Sequence, residues 1–264
     1  MNKKERKIIL FTGDDIFYAP LLLENLLKNN KSNIHHVYIS KSFLSFKRLS
    51  KKLIFFIRNY YPFCISAKDW LNFFQMHIKF KIKCFIKNEP KNIYDYLRRL
   101  GINCSYIDEI NKEIIYKKLR DQEPDLFFFA LFDKIASEEF CSIPKLGTYN
   151  AHMGKLPNYK GGLSSFWVLR FQDKTAGSSI HKVIKKIDSG ELIDEVKFDI
   201  NTNSMHLLML KTMKESSGMI NRAINNILNE KTKVIDITNK KSNYYLYPTK
   251  EDFKEFYKKG CRLI

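Results

Sequence analysis

Apolar positions along the chain follow two spacings in turn. Lys7–Thr12 opens an apolar run suited to a buried strand, and Gly13-Asp14-Asp15 turns the chain. Phe17, Leu21, Leu22, Leu26 and Leu27 then recur at helical spacing, and His36–Ser40 reads as a second strand. The pattern continues with a short helix over Asn92–Leu100, ended by Gly101, then a strand over Ser105–Ile107 and a helix over Lys112–Arg120. Asp125–Leu131, with the run DLFFFAL, is the strongest buried strand of the chain. Ser137–Phe140 closes another helix and Gly147–Ala151 forms the next strand. Such alternation predicts an α/β chain with a mostly parallel sheet and helices on both faces. Ligands bind beyond the carboxyl ends of the strands in such sheets, which draws attention to the residues just after Tyr149.

Between Ser42 and Pro90 the alternation lapses. Phe43, Phe46, Leu49, Leu53, Phe56 and Ile57 fall near helical spacing, as do Trp70, Phe73, Phe74 and Phe80, so about 42–90 reads as a helical insertion. After Asp188, Glu191–Ile200 suggests a strand, Ser204–Leu228 a long helix and Tyr244–Tyr247 an extended tail. The expected organisation is a catalytic domain over 1–200 with a C-terminal helix and tail, 201–264, packing on it. A length of 264 residues suits one good-sized core with an appendage.

Composition alters this picture little. The basic N-terminus has too short an apolar run, Ile8 to Phe11, for a secretory signal, and Leu53 to Ile57 falls far short of the roughly 20 residues a membrane span needs. A soluble, cytoplasmic protein is the expectation. Five cysteines at 64, 84, 104, 141 and 261 form no C-x-x-C pair and read as free thiols rather than disulfides or a zinc site. The formal net charge of +18 raises a nucleic-acid reading, but the excess is lysine spread along the chain, with only nine arginines. An anionic small substrate suits that charge at least as well.

Chemistry concentrates in two stretches. Leu146 to Gly162 (LGTYNAHMGKLPNYKGG) places the amide of Asn150 and the imidazole of His152 two residues apart on an extended backbone, so both point to one face. Pro157 and Gly161-Gly162 then shape a loop that lets the backbone approach a ligand. Ser179 to Ile193 reads as a strand that carries His181 and has the carboxylate of Asp188 at its end, followed by a turn, Asp188-Ser189-Gly190. Each piece also has a plain structural reading. Asn150 could bond its own loop, either histidine could be structural, and Asp-Ser-Gly is an ordinary turn. A metal held by His152, His181 and Asp188 lacks the close spacing of common helical sites and is not expected.

Taken together, the elements resemble the superfamily of formyltransferases that use N10-formyltetrahydrofolate. The paired Asn150 and His152, the loop Leu156-Pro157-Asn158-Tyr159-Lys160-Gly161, the strand histidine His181 and the turn Asp188-Ser189-Gly190 follow that signature in order. Residues 92–200 carry the resemblance well, and the first strand and helix loosely. Met153-Gly154 departs from the usual Pro-Ser after the histidine, and the 42–90 segment is longer than in compact members. The resemblance implies a Rossmann-like formyltransferase fold with Asn150, His152 and Asp188 as catalytic residues and His181 in support. Asn150 and His152 would hold the oxyanion, while Asp188 would either accept a proton or orient His152. The pterin slot is expected from Phe129, Ala130, Leu131, Phe132 and Lys134, with Ile184 and Ile187. Tyr159, Lys160, Gly161 and Gly162 would meet the acceptor substrate.

Three amines serve as acceptors within the resembled superfamily: an initiator methionyl-tRNA, glycinamide ribonucleotide, and an amino sugar on a nucleotide carrier. The tRNA enzymes carry a sizeable β-barrel domain after the catalytic one, for which the stretch after Asp188 is short. The aromatic tail Tyr244-Tyr245-Leu246-Tyr247 and the basic surface suit a nucleotide-linked sugar, whose ring can stack and whose diphosphate can meet lysine. The expectation is therefore an amino-sugar formyltransferase serving cell-surface polysaccharide (lipopolysaccharide O-antigen) synthesis, with folate and sugar as small-molecule partners. The contrasting class is a basic nucleic-acid-binding protein that keeps the fold. Aromatics in 42–90 and the tail make a homodimer an expectation as well.

Overall fold

A computed structural model describes residues 6–40, 67–237 and 240–264. Five strands form the parallel part of the sheet: β1 (Ile8–Gly13), β2 (Ile34–Ser40), β3 (Cys104–Ile107), β4 (Leu126–Ala130) and β5 (Thr148–His152). Two longer strands, β7 (Thr175–Lys182) and β8 (Leu192–Asp199), complete a seven-stranded sheet of order β3-β2-β1-β4-β5-β7-β8. β7 runs antiparallel to both β5 and β8. A two-residue strand β6 (Lys160–Gly161) pairs outside this sheet with β9 (Tyr244–Tyr245).

Strand side chains alternate between two cores. In β1 and β4, Ile8, Leu10, Leu126, Phe128 and Ala130 face one side, where α1 (Ala19–Asn29), α3 (Ile93–Arg99) and α7 (Met205–Leu228) cover them. Ile9, Phe11, Phe127 and Phe129 face the other, under α4 (Glu113–Arg120) and α5 (Glu138–Cys141). This two-sided burial is why DLFFFAL reads as a continuous apolar run. Phe11 is fully buried at the centre of the second core, its ring 5.2–5.5 Å from those of Tyr38, Phe127, Phe129, Phe132 and Phe140. Beyond β7 a third cluster joins Tyr159, α6 (Ser164–Arg170), Leu208 and α8 (Lys250–Lys258).

Most predicted elements appear with end shifts of a residue or two, but the strand expected to run to Asp188 ends at Lys182, and 183–190 forms the turn into β8. Of the insertion, Ala67–Ile86 forms one 20-residue helix, α2, whose Phe80 ring packs 4.9 Å from Phe17. Phe43, Phe46, Leu49, Leu53, Phe56 and Ile57 lie outside the described residues. Two helices depart from the sequence reading. α6 is buried almost all round and so shows no amphipathic period. The tail, read as extended, folds into α8 after Pro248, behind a capping box in which Thr249 and Asp252 satisfy each other's amides. Among the described residues no helix is long and apolar enough to cross a membrane.

Removing the Phe11 ring empties the centre of one core, so Phe11→Ala should lower the free energy of urea unfolding by about 3–5 kcal/mol. His36, on β2, is driven by burial, and then by Lys118 and His35, from 6.5 down to about 4. The unfolded chain therefore takes up a proton there that the native chain refuses as pH falls from 6.5 toward 4. Thermal melts should lose stability over that window, and His36→Gln should flatten the loss.

Candidate active site

The sequence singles out residues that the sheet brings to one place. β5 ends with Asn150 and His152, and its antiparallel neighbour β7 sets His181 directly opposite Asn150. Past β7 the chain turns through Ile184–Gly190 and returns as β8, with Asp188 in left-handed backbone at φ 48°. Aspartate tolerates that conformation better than most residues. Gly190 lies so close to the Lys182 carbonyl that a Cβ would collide with it, which fixes glycine at the close of the turn.

Asp188 is the hub, its side chain 9% exposed. Oδ2 accepts the Gly161 N–H at 2.8 Å and lies 3.5 Å from His152 Nδ1, while Oδ1 lies 3.4 Å from His181 Nε2. Burial alone would raise its pKa, but a hydrogen bond from His181 and the charge of His152, when those rings carry a second proton, together with the Gly161 amide outweigh burial and bring it down to about 2. Asp188 is therefore a carboxylate at every working pH.

His152 is nearly fully buried, and its Nε2 lies 2.5 Å from the Tyr159 carbonyl. Both of its partners only accept, and a neutral ring has one hydrogen to give; the much shorter contact assigns it to Nε2 and leaves the Nδ1 lone pair toward Asp188, 3.5 Å away. Burial lowers the ring's pKa more than Asp188 and Tyr159 raise it, so the neutral imidazole is the resting form. On His181, Nδ1–H donates to the Lys182 carbonyl at 2.9 Å. A neutral ring then offers Nε2 as acceptor to Asn150 Nδ2 at 3.2 Å, which orients the amide and leaves its second hydrogen available. A second proton on His181 would point instead at Asp188 Oδ1.

The loop after His152 supplies both backbone contacts, Tyr159 C=O and Gly161 N–H. Ser179 Oγ holds its start, accepting from Leu156 N and donating to Gly154 O, both at 2.9 Å. Gly154 sits where a Cβ would come within 2.8 Å of His152 Nε2 and 2.9 Å of Tyr159 O. The Met153-Gly154 departure thus makes room for the contact that sets the His152 tautomer.

The other sequence-selected residues fall into three groups. Phe129 and Ala130 are core side chains, so only their backbone faces outward; Leu131 (φ 56°), Phe132 and Lys134 follow at the strand end. Val183 packs in the same cluster as Phe129 and Phe132, and Ile184 and Ile187 follow it in the turn, both exposed. The Tyr159 ring faces away from Asp188: it is 6% exposed, and its hydroxyl donates to Asp173 Oδ2 at 2.8 Å. Lys160 Nζ donates to Ser189 Oγ at 3.0 Å, and burial, then Lys186, lowers its pKa. Gly162 lies beside the exposed ring of Tyr247.

The sequence reading passed over Lys155, Asp173 and Ser179, and took Tyr245 only as part of an aromatic tail for a nucleotide-linked sugar, whereas its ring stacks on Tyr159 and Trp167. A cavity of about 400 Å³ borders the loop, lined by Lys155, Tyr159, Asp173, Lys197 and Lys240, but it does not reach Asn150 or Asp188. Lys155 Nζ is engaged there by the Thr175 carbonyl at 2.7 Å and by Asp173 at 3.4 Å. No local motif marks these residues; only the folded loop brings them together.

A profile described as formyl transferase matches residues 84–224, just over half of the chain. Among curated relatives, the bifunctional polymyxin resistance protein ArnA of Wigglesworthia glossinidia brevipalpis is 32% identical over 169 residues, 64% of this chain and 23% of its own length. Methionyl-tRNA formyltransferase of Prochlorococcus marinus is 28% identical over 181 residues, 66% of this chain and 52% of its own. The chain thus spans about half the length of these relatives or less. Two solved structures share the fold. WlaRD, a sugar 3N-formyl transferase solved in the presence of dTDP and 5-N-formyl-THF, has TM-score 0.58 and 21% identity, covering 92% of this chain and 70% of its own. Glycinamide ribonucleotide transformylase 1 of Symbiobacterium toebii has TM-score 0.61 and 12% identity, covering 89% and 96%. With the profile spanning both the Asn150-x-His152 strand and the Asp188 turn, the chain belongs to the formyl transferase family.

Proposed function

We propose that this chain transfers a formyl group from N10-formyltetrahydrofolate to the amine of a nucleotide-linked amino sugar, giving a formamido sugar for cell-surface polysaccharide of the O-antigen type. One observation carries the formyl-transfer half: an amide, two imidazoles and an ionised carboxylate converge at 3.2–3.5 Å at the end of β5. In the reaction the amine lone pair attacks the formyl carbon and the carbonyl electrons move to oxygen. The free hydrogen of Asn150 Nδ2 meets that oxyanion, a contact stronger in the transition state than in the ground state. The proton lost by the amine goes to His152 Nδ1, and the imidazolium so formed donates to Asp188 on one side and the Tyr159 carbonyl on the other. The tetrahedral carbon then expels the folate nitrogen, which regains the proton, leaving a formamide and tetrahydrofolate. Here His152 takes up the proton and Asp188, too weak a base at a pKa of about 2, stabilises the charge.

The end of β4 and the Ile184–Ile187 turn would form the pterin slot, with backbone groups of Phe129 and Ala130 at its base. For the acceptor, the ledge of Tyr244, Leu246 and Tyr247, all more than half exposed beside Gly161-Gly162, offers flat apolar surface to a nucleotide ring. The first strand-to-helix turn, where doubly wound folds usually cradle phosphate, is filled by the chain's own carboxylates. Asp15 accepts from the Phe17 and Tyr18 amides, and Asp14 from the Ile93 amide and the Tyr106 hydroxyl. A diphosphate must meet its cations elsewhere, and the +18 charge provides them in lysine. A dimer is part of this reading.

Tetrahydrofolate release, followed against nucleotide-linked amino sugars, glycinamide ribonucleotide and methionyl initiator tRNA, should rise only with an amino sugar. A response to tRNA or to the ribonucleotide alone would replace the acceptor, and no response to any would sink the reading. Asn150→Ala should lower kcat about 10²- to 10³-fold with the protein still folded. Because only neutral His152 accepts a proton, kcat should fall as pH drops below the ring's pKa, which burial holds under 6.5. Asp188 raises that pKa, so Asp188→Asn should shift the acid limb to lower pH while cutting the plateau at least about 100-fold.

A further inference from the structure

Residues 240–264 lie beyond the stretch that matches the family, yet part of this tail touches the loop that serves His152. The contact has a backbone half and a ring half. Lys160 N donates to Asn243 O at 3.1 Å, Gly162 N to Tyr245 O at 3.2 Å, and Asn243 N to Pro157 O at 3.1 Å. Gly161, at φ 90°, comes so close to the Tyr245 carbonyl that any Cβ would collide with it. A ladder of two residues holds little by itself. The Tyr245 ring completes the joint, stacked 5.5 Å from Tyr159 and 4.9 Å from Trp167, and 5.6 Å from Phe171. Tyr159 is thereby held on two sides, by Tyr245 on its ring face and by Asp173 at its hydroxyl.

We propose that Tyr245 is a positioning residue for His152, acting through the Tyr159 carbonyl. Tyr245 touches no reacting atom. What it fixes is the place of the one acceptor that keeps the hydrogen on His152 Nε2. If that carbonyl drifts, the competing partner for a ring hydrogen is Asp188 Oδ2, 3.5 Å from Nδ1. The hydrogen then moves to Nδ1 and occupies the lone pair on which proton uptake depends. This inference rests on the formyl-transfer reading for its kinetic consequence, but not for the tautomer itself.

The test pairs kinetics with ¹⁵N NMR of the His152 ring nitrogens at neutral pH. In the wild type Nε2 should be protonated and Nδ1 bare. Tyr245→Ala should move the hydrogen at least partly to Nδ1 and lower kcat about 10-fold or more, with little change in KM for the formyl donor. Tyr245→Phe keeps the ring and should restore both. Gly154→Ala leaves the tail in place but pushes between His152 and Tyr159, and should produce the same change of tautomer. If Tyr245→Ala does not fold, Tyr159→Phe, which loses only the Asp173 bond, should shift the tautomer in the same direction. A wild-type tautomer in Tyr245→Ala, or in Tyr159→Phe where that variant stands in, overturns the proposal, as does lost activity that Tyr245→Phe fails to rescue. If the wild type transfers no formyl group to any acceptor, the functional reading fails, and the NMR comparison still decides this one.

Discussion

A carboxylate kept ionised while nearly buried is the constraint on which the rest of the site depends. Asp188 has given up most of its water, a cost that only well-placed donors can offset. At rest the donor in place is the Gly161 amide, from the loop after β5; His181 from β7 and His152 from the end of β5 face the carboxylate with the nitrogens that donate to it once a second proton is taken up. Their placement requires the antiparallel register that sets His181 opposite Asn150, and a turn that returns Asp188 between the two histidines. The departure from parallel order at β7 is thus what lets two adjacent strands present imidazoles to one carboxylate. In a purely parallel sheet the next strand would need a crossover helix before it could reach that point.

Much of the frame was legible because its signals are local. A strand buried on both faces announces itself as an apolar run, as at Ile8–Phe11 and Leu126–Ala130, and amphipathic helices such as α1 show their period. α6 escaped because a helix buried all round has no polar face to mark its turns. α8 escaped for another reason: the Thr249-x-x-Asp252 capping signal was present, but the aromatic run before it reads as strand. The site divides in the same way. Asn150, His152, His181 and Asp188 were visible as side-chain types at characteristic positions. The groups that set their protonation are backbone atoms, the Tyr159 carbonyl and the Gly161 amide, and every residue carries those. Tyr159 itself was assigned to the acceptor, whereas its ring is spent on Asp173 and Tyr245 and only its carbonyl faces the site.

Charge illustrates how composition and placement part company. A net +18 invites a polyanion, but the first crossover, where an anion would meet helix amides, carries Asp14 and Asp15. Burial pushes the Asp14 carboxyl up, against the pull of the Ile93 amide and the Tyr106 hydroxyl, so that corner holds its own acid in place. The positive charge is carried by lysines spread along the chain, while Asp14 and Asp188 make the sheet's carboxyl end locally acidic where they stand.

The pairing of β9 with β6 also bears on when, during folding, the site becomes competent. The seven-stranded sheet and its two cores can form from residues that precede the tail. The pairing of Lys160–Gly161 with Tyr244–Tyr245 is only two residues long and lies outside the main sheet, so it can stand open while the sheet is closed. A chain could therefore be native by every measure of its sheet and still carry the His152 hydrogen on the wrong nitrogen. Circular dichroism would report such a molecule as folded before it could work.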